Sequence, residues 1–230
     1  MAKTKNTICE IGCGNANILK HYPDLAVKYT GLDFSPKIIE ANRTKYPGAS
    51  FMPFEKANVF PVVDQQFDLV FSVFVLEHVV RPAVFLSECE RILKPGGTLI
   101  IFCPDFLGRG RMTSQRAGFS AGTSLEKIKK GKFFDGIITL FDNRIRIPFI
   151  SWKYRRQALK APSFFVNTRP LVFEDDFQPD VDAVYLTYKK EICNYLKAEF
   201  TLENNDPKIE RYLFKRKLIY LQLVKNTKYI

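Results

Sequence analysis

The chain has 230 residues, 46% of them apolar and 26% charged, and a formal net charge of +11. This length supports a domain with a full hydrophobic core, and the composition excludes a disordered chain, a collagen-like repeat and a small disulfide scaffold. No apolar run approaches the ~20 residues that cross a bilayer, and the polar beginning lacks the apolar segment of a signal peptide. The five cysteines form no CxxC pair, so we expect a reduced cytoplasmic protein without a metal site.

Residues 6–105 alternate strand and helix patterns. Strands are predicted at 7–11, 27–32, 49–52, 67–73 and 98–103, and helices at 16–21, 35–46 and 81–93. Ser35 is predicted to cap the second helix, with Pro36 in its first turn. The strand at 67–73 is apolar on both faces, as a central parallel strand is. Strands that alternate with helices form right-handed crossovers, which predicts an α/β fold with a doubly wound parallel sheet.

The remaining chain is less regular. Residues 106–180 contain helical pieces around 125–132 and 136–141, interrupted by glycine and proline. An amphipathic helix at 188–199 precedes strands at 200–202 and 218–224, the last of them predicted to be antiparallel. We therefore predict one domain with a mostly parallel, seven-stranded Rossmann-like sheet and helices on both faces. Its parts are a cofactor-binding half (1–105), a basic insertion or lid (106–180) and a C-terminal segment that completes the sheet (181–230).

The positive charge is concentrated in one segment. Residues 106–169 carry 14 Lys and Arg against three acidic residues, while the chain before and after this segment is neutral. A solvated basic face is one interpretation of such a run. The other is a surface for an anionic partner, which can be a phosphorylated metabolite, a membrane or a nucleic acid.

A glycine-containing loop follows the first predicted strand. Gly12 and Gly14 lie where that strand turns into a helix, and glycine there lets a ligand approach the backbone N–H groups. Asp33 follows Gly12 by 21 residues, at the end of the second strand. A carboxylate at this position accepts hydrogen bonds from the ribose hydroxyls of a nucleoside. The pattern indicates a nucleoside cofactor.

The residues around the loop favour one class of nucleoside. A dinucleotide loop carries a third glycine, which is Asn17 here, and Glu10 precedes Gly12 by two residues. A carboxylate at this point repels a pyrophosphate and attracts the ammonium of an amino acid. This favours S-adenosyl-L-methionine over a nicotinamide dinucleotide, and hence a methyltransferase over a dehydrogenase.

Five motifs in order resemble the class I S-adenosylmethionine-dependent methyltransferases, in particular the type 11 group related to ubiquinone-biosynthesis methyltransferases. They are EIGCG at 10–14, GLDFSP at 31–36, FDLV at 67–70, VLEHV at 75–79 and RILKPGG at 91–97. The resemblance implies a methionine-end site at Glu10, Gly12 and Gly14 and a ribose site at Asp33. It further implies that Phe34, Ala57 and Asn58 contact the adenine and that Ser72 lies near the donor methyl.

One departure from the family pattern concerns the adenine. Lys56 stands where the family commonly has an aspartate that accepts a hydrogen bond from the adenine amino group. A lysine cannot accept that bond, so adenine recognition must depend more on backbone groups. The departure keeps a non-catalytic, methyltransferase-like protein open as an alternative.

Two residues are candidates for proton transfer. His78 follows the fourth strand, where cofactor and acceptor are expected to meet, and is the first candidate for a general base. Its alternative is a structural role beside the helix at 81–93. Asp105 follows the fifth strand on the same rim of the sheet, and its alternative is a turn residue.

The basic segment is predicted to select the methyl acceptor. Arg109, Arg111, Arg155 and Arg156 are the candidates for contacting a small-molecule or lipid-linked acceptor that is anionic, such as a phosphorylated sugar. The same mixture of cations with Trp and Phe suits peripheral contact with anionic lipid at the cytoplasmic face of a membrane. A nucleic-acid methyltransferase is the other alternative, but the chain lacks the [DNS]-P-P-[YFW] tetrad after its fourth strand.

Overall fold

The computed structural model describes residues 6–55, 59–108, 113, 122–167, 183–203 and 206–227. Within them seven strands form one sheet in the order β3-β2-β1-β4-β5-β7-β6. The strands are β1 (Ile8–Ile11), β2 (Tyr29–Asp33), β3 (Ser50–Pro53), β4 (Phe67–Val73), β5 (Leu93–Pro104), β6 (Phe200–Leu202) and β7 (Leu218–Lys225). Strands β1 to β5 pair in parallel, and β7 pairs antiparallel with β5 and β6. The predicted sheet and its antiparallel last strand are confirmed.

Eight α-helices lie in the described chain. They are α1 (Asn17–His21), α2 (Pro36–Lys45), α3 (Pro82–Ile92), α4 (Ser124–Lys129), α5 (Phe133–Phe141), α6 (Ile147–Lys160), α7 (Lys189–Leu196) and α8 (Pro207–Arg216). Ser35 caps α2 as predicted, since its hydroxyl accepts a hydrogen bond from the N–H of Ile38 at 3.4 Å. None of the described helices is long and apolar enough to span a membrane.

Alternate side chains of the central strands enter two apolar clusters. In β4, Val70 packs into a cluster with Leu86 of α3. Phe71, its neighbour, packs on the other face with Ile39 of α2. Burying each large apolar side chain contributes about 1.5–3 kcal/mol, so the two faces anchor the strands firmly. The carboxyl ends of the parallel strands are thereby held in place for a site.

Several predicted boundaries differ from the structure. Strand β5 begins at Leu93, which pairs with Phe67, and Thr98 then pairs with Leu69, so an irregularity separates the two contacts. Helices α6 and α8 were not predicted at all. Pro207 is the first residue of α8, where proline starts a helix, whereas Pro148 follows a π-helical turn (Asp142–Arg146) that joins α5 directly to α6.

Candidate active site

A cavity of about 460 Å³ opens at the carboxyl ends of β1, β2 and β4. Strand order reverses beside β1, and ligands bind at such points in open α/β sheets. Polar side chains enter the wall at Asp33 and His78. The complete lining is Gly12, Asp33, Phe34, Phe54, Phe74, Val75, His78, Val79, Val80 and Val184.

The glycine loop forms the floor of this cavity. Gly12 has φ +72, and a Cβ there would lie 2.2 Å from Cγ2 of Val75. Its N–H and that of Cys13 both donate to the carbonyl of Leu32, at 2.7 and 3.0 Å. On the other side, Asn42 of α2 donates from Nδ2 to the carbonyl of Gly14 at 2.6 Å. Strand β2 and helix α2 therefore hold the loop in one shape, and glycine at position 12 is required by both φ and space.

Asp33 ends β2 in the cavity wall and is only 4% exposed. Its Oδ2 accepts from the N–H of Gly14 at 3.0 Å, and its Oδ1 accepts from the N–H of Ser35 at 2.9 Å. Each carboxylate oxygen has a second lone pair for a further donor. The side chain is thus oriented by the loop it supports, and it keeps the capacity to accept from two neighbouring hydroxyls.

Glu10 occupies a different position from Asp33. It is not part of the described cavity lining, and its carboxylate accepts a hydrogen bond from the hydroxyl of Tyr29 at 2.5 Å. Burial raises the pKa of Glu10 to about 7, the charge of Asp33 adds to this rise, and the Tyr29 hydrogen bond opposes it. Because the two carboxylates repel each other, a nearby cation would stabilise the ionised form of both.

Ser72 lies at the end of β4, between its partners Ile11 and Ile101. It is 1% exposed, and its Oγ has no hydrogen-bond partner among the described atoms. An unsatisfied buried hydroxyl costs about 1–3 kcal/mol. A bound molecule can supply a missing partner of this kind, but Ser72 is not part of the cavity lining, so its place near the donor methyl stays a prediction.

His78 lies in the short turn Leu76–His78 and enters the cavity wall, four residues before α3 begins. Its Nε2 is 3.9 Å from Oε1 of Glu77, whose side chain is fully buried. The carbonyl of Glu77 accepts from the N–H groups of Val184 and Tyr185, which brings the C-terminal segment to the cavity. The histidine and a buried carboxylate therefore stand together beside the cavity.

The other predicted catalytic and acceptor residues lie away from the cavity lining. Asp105 is 3% exposed, and its Oδ1 accepts from the N–H of Gly108 at 2.9 Å, which closes the turn after β5. Arg155 donates from Nε to the carbonyl of Ser151 at 3.3 Å. The guanidinium of Arg156 lies 4.7 Å from the ring centre of Trp152. Four further predicted residues lie outside the described chain: Ala57, Asn58, Arg109 and Arg111.

Sequence reasoning missed several residues of the site. Phe54, Phe74 and Val184 contribute apolar side chains to the wall, and they come from three separate parts of the chain. Asn42 and Glu77 are buried polar residues next to the site. Only Glu77 left a signal, as a charged residue that stands with His78 inside the otherwise apolar run 73–80.

Comparison with known proteins places the matched region in a family. Residues 9–101 match the family model described as a methyltransferase domain. The chain is 32% identical over 98 residues to a probable S-adenosylmethionine-dependent methyltransferase of Mycolicibacterium smegmatis. This alignment covers 43% of this chain and 38% of that protein. It is 29% identical over 99 residues to a demethylmenaquinone methyltransferase of Paenarthrobacter aurescens, covering 43% and 39%. The matched stretch thus spans about two fifths of the length of these curated relatives.

Solved structures show that the fold extends over nearly the whole chain. An S-adenosylmethionine-dependent methyltransferase of Mesorhizobium loti superposes with a TM-score of 0.57 at 14% identity, covering 95% of this chain and 90% of that one. For a Listeria monocytogenes protein described as a putative methyltransferase of this kind, the TM-score is 0.58 at 13% identity, with 97% and 92% covered. At this identity the likeness concerns the fold.

The family predicted from the five motifs and its cofactor class are confirmed by these matches. The motif at 10–14 lies within the matched region, and so do nine of the ten residues that line the cavity. Residues 9–101 of this chain are similar to the methyltransferase domain family and to S-adenosylmethionine-dependent methyltransferases.

Proposed function

We propose that the protein transfers the methyl group of S-adenosyl-L-methionine to a small-molecule or lipid-linked acceptor that carries negative charge, such as a phosphorylated sugar. The observation that carries this proposal is the cavity at the strand ends, with the Gly12 loop as its floor and Asp33 in its wall. Both belong to the region that matches the methyltransferase domain.

In this proposal the carboxylate of Asp33 accepts from both ribose hydroxyls, and the half-exposed ring of Phe34 packs on the adenine. Ala57 and Asn58 meet the adenine edge, and the hydroxyl of Ser72 finds its partner at the methionine end. The bound cofactor supplies an electrophilic methyl group on a positively charged sulfur. The field of Glu10 and Asp33 favours that positive charge and the cofactor's ammonium over a pyrophosphate.

His78 is the general base of the proposed reaction when the acceptor is a hydroxyl or an ammonium group. A ring nitrogen of His78 takes the proton that the acceptor loses, and the carboxylate of Glu77 stabilises the resulting imidazolium. The apolar wall formed by Phe54, Phe74 and Val184 excludes water from the reacting groups. Asp105, which closes the turn after β5 away from the cavity lining, is not assigned this role.

The class of acceptor is supported by charge and by the names of relatives. One relative is named for demethylmenaquinone and another, from Caulobacter vibrioides and 29% identical over 99 residues, for ubiquinone biosynthesis, which supports a small-molecule acceptor. The net charge of residues 106–169 is +11, and this supports an anionic one. We assign Arg109, Arg111, Arg155 and Arg156 to the approach of that acceptor.

Calorimetry with S-adenosylhomocysteine, the demethylated cofactor, tests the cofactor site. Asp33→Ala should weaken binding at least about tenfold, since it removes the acceptor of two ribose hydrogen bonds. Asp33→Asn keeps the shape of the side chain and one acceptor oxygen, so its affinity should lie between those of the native protein and the Asp33→Ala variant. Glu40→Ala, an exposed carboxylate on α2, is the matched control and should bind as the native protein does.

Affinity that is equal in the native protein and the Asp33→Ala variant would refute the ribose assignment. Binding of a nicotinamide dinucleotide in place of S-adenosylhomocysteine would refute the methyltransferase itself.

A further inference from the structure

Helix α5 has its apolar residues on the outside. Its buried residues are Gly136, which has no side chain, and Thr139, which carries a hydroxyl group. Six large apolar side chains are exposed instead: Phe133, Phe134, Ile137, Ile138, Leu140 and Phe141, between 49% and 84% each. An ordinary surface helix has the reverse arrangement, with its apolar stripe toward the core.

The side of α5 that faces α4 carries small and polar groups. Their contacts with α4 oppose a rotation of α5 that would bury its apolar side chains. A Cβ on Gly136 would lie 2.5 Å from Cγ1 of Ile128 and 3.1 Å from the carbonyl of Ser124, so α4 packs directly on the glycine. The hydroxyl of Thr139 donates to the carbonyl of Asp135 and accepts from Nζ of Lys127 at 2.9 Å. The orientation of α5 is therefore specified by contacts with α4.

Helix α6 continues the same pattern. Its inner side packs Ile147 and Ala158 against the segments that follow β5 and precede α7. Its outer side stacks Phe149 on Trp152, with ring centres 5.9 Å apart. We call the outer sides of α4, α5, the π-helical turn Asp142–Arg146 and α6, within residues 123–160, the helical surface. It holds 12 of the 24 exposed large apolar side chains in the described chain.

Cations are interspersed with these apolar residues. Residues 123–160 contain ten Lys and Arg against Glu126, Asp135 and Asp142, a net charge of +7. Long basic side chains that flank exposed aromatic residues suit the boundary between lipid headgroups and acyl chains. The same charge on a second copy of the chain would repel it face to face, and a nucleic acid would leave the aliphatic side chains in water.

We propose that the helical surface binds the interface of an anionic lipid bilayer. The apolar side chains of α5, with Trp152, enter the acyl boundary, and the surrounding Lys and Arg contact the anionic headgroups. The surface is connected to the cavity, because Ala183 and Leu186 pack against α6 while Val184, between them, lines the cavity. The lipid binding itself does not depend on methyl transfer, but a role in presenting a lipid-linked acceptor rests on the proposed function.

Trp152 is the only tryptophan of the chain, so its fluorescence reports on this surface without a label. Vesicles of phosphatidylcholine mixed with phosphatidylglycerol should shift its emission to the blue, and brominated lipids should quench it. Vesicles of phosphatidylcholine alone should bind at least about tenfold more weakly, since each cation near an anionic surface contributes about fivefold. Added salt should weaken binding to the anionic vesicles.

Two pairs of variants localise the contact by vesicle sedimentation. The Phe134→Ser and Ile138→Ser double variant should bind at least about tenfold more weakly, since two large apolar side chains no longer enter the lipid. The Val27→Ser and Val63→Ser double variant is its matched control, since both valines are exposed elsewhere, and it should bind normally. Lys129→Gln with Lys132→Gln should also weaken binding more than about tenfold, while Lys20→Gln with Lys37→Gln should not.

Equal binding by the α5 variant and the native protein would overturn the proposal, as would equal losses in the α5 variant and its valine control. Concentration-dependent dimers that the α5 substitutions dissociate, without binding to anionic vesicles, would assign the surface to a second copy instead. The Asp33→Ala variant should bind vesicles normally. Vesicle binding and cofactor binding can thus fail separately, so each proposal is tested alone.

Discussion

The sheet region (residues 6–105) and the helical surface use apolar side chains in opposite ways. In the sheet region Leu19, Ile39 and Leu86 are at most 1% exposed, and helices cover both faces of the strands. In the helical surface, Phe134 is 84% exposed and Gly136 is buried. The apolar residues of the first region stabilise the fold, whereas those of the second are available to something outside the chain.

The largest difference in the free energy of unfolding should appear when isoleucine is replaced by alanine once in each region, in two separate variants. Ile39→Ala, in α2, removes a fully packed side chain and should lower the free energy of unfolding by about 3 kcal/mol. Ile138→Ala, in α5, removes a 58% exposed side chain and should change it by less than about 0.5 kcal/mol. Urea unfolding of both variants measures the difference, and equal losses would show that the apolar side of α5 is part of the core.

A second substitution tests how tightly the sheet region is built around the cavity. Gly12→Ala combines a positive φ with a contact of 2.2 Å to Val75, which lines the cavity. It should lower the free energy of unfolding by about 2 kcal/mol and weaken S-adenosylhomocysteine binding about tenfold. Gly48→Ala, whose added Cβ would meet Ala26 at 3.7 Å, is the control and should leave binding unchanged.

Calorimetry and thermal unfolding measure both effects. Adding Val75→Ala to Gly12→Ala should restore part of the affinity, because it removes Cγ1 and Cγ2, the two atoms nearest to the new Cβ. If the double variant binds no better than Gly12→Ala alone, backbone strain rather than the contact accounts for the loss.

The last prediction concerns Glu10 and the pH dependence of the free energy of unfolding. Its pKa is about 7 in the folded protein and about 4.5 when unfolded, so the folded state holds the proton more tightly between these values. The resulting stability is complete below about pH 4.5 and is lost as the pH rises through 7. Glu10→Gln should remove this part of the pH dependence, measured by thermal unfolding at about pH 5 and pH 8. Identical pH profiles in the two proteins would contradict it.

Local patterns predicted the sheet region because its signals lie within single elements. The apolar run of β4, the Ser35 cap and the ordered motifs each reflect a local requirement of strand, helix or loop. Helix α8 was missed because a proline that starts a helix and a proline that breaks one are identical in sequence, and α6 was missed because the chain continues from α5 through a π-helical turn despite Pro148. The partners of Asp105 and Arg156, which are Gly108 and Trp152, lie only three and four residues away, so a turn and a helical i,i+4 pair were open to local interpretation.

By itself the sequence determined the order of strands and helices in residues 6–105, the glycine loop with Asp33, and the family that these resemble, since all three follow from short-range spacing. Only the tertiary structure decided which side chains close the cavity and which side of α5 faces outward. The reason is physical: Phe54, Phe74 and Val184 meet across long chain separations, and α5 is oriented by the contact between Gly136 and α4 rather than by its own hydrophobicity. Sequence patterns indicate the secondary structure that each segment prefers, whereas close packing in the folded chain determines which segments contact one another.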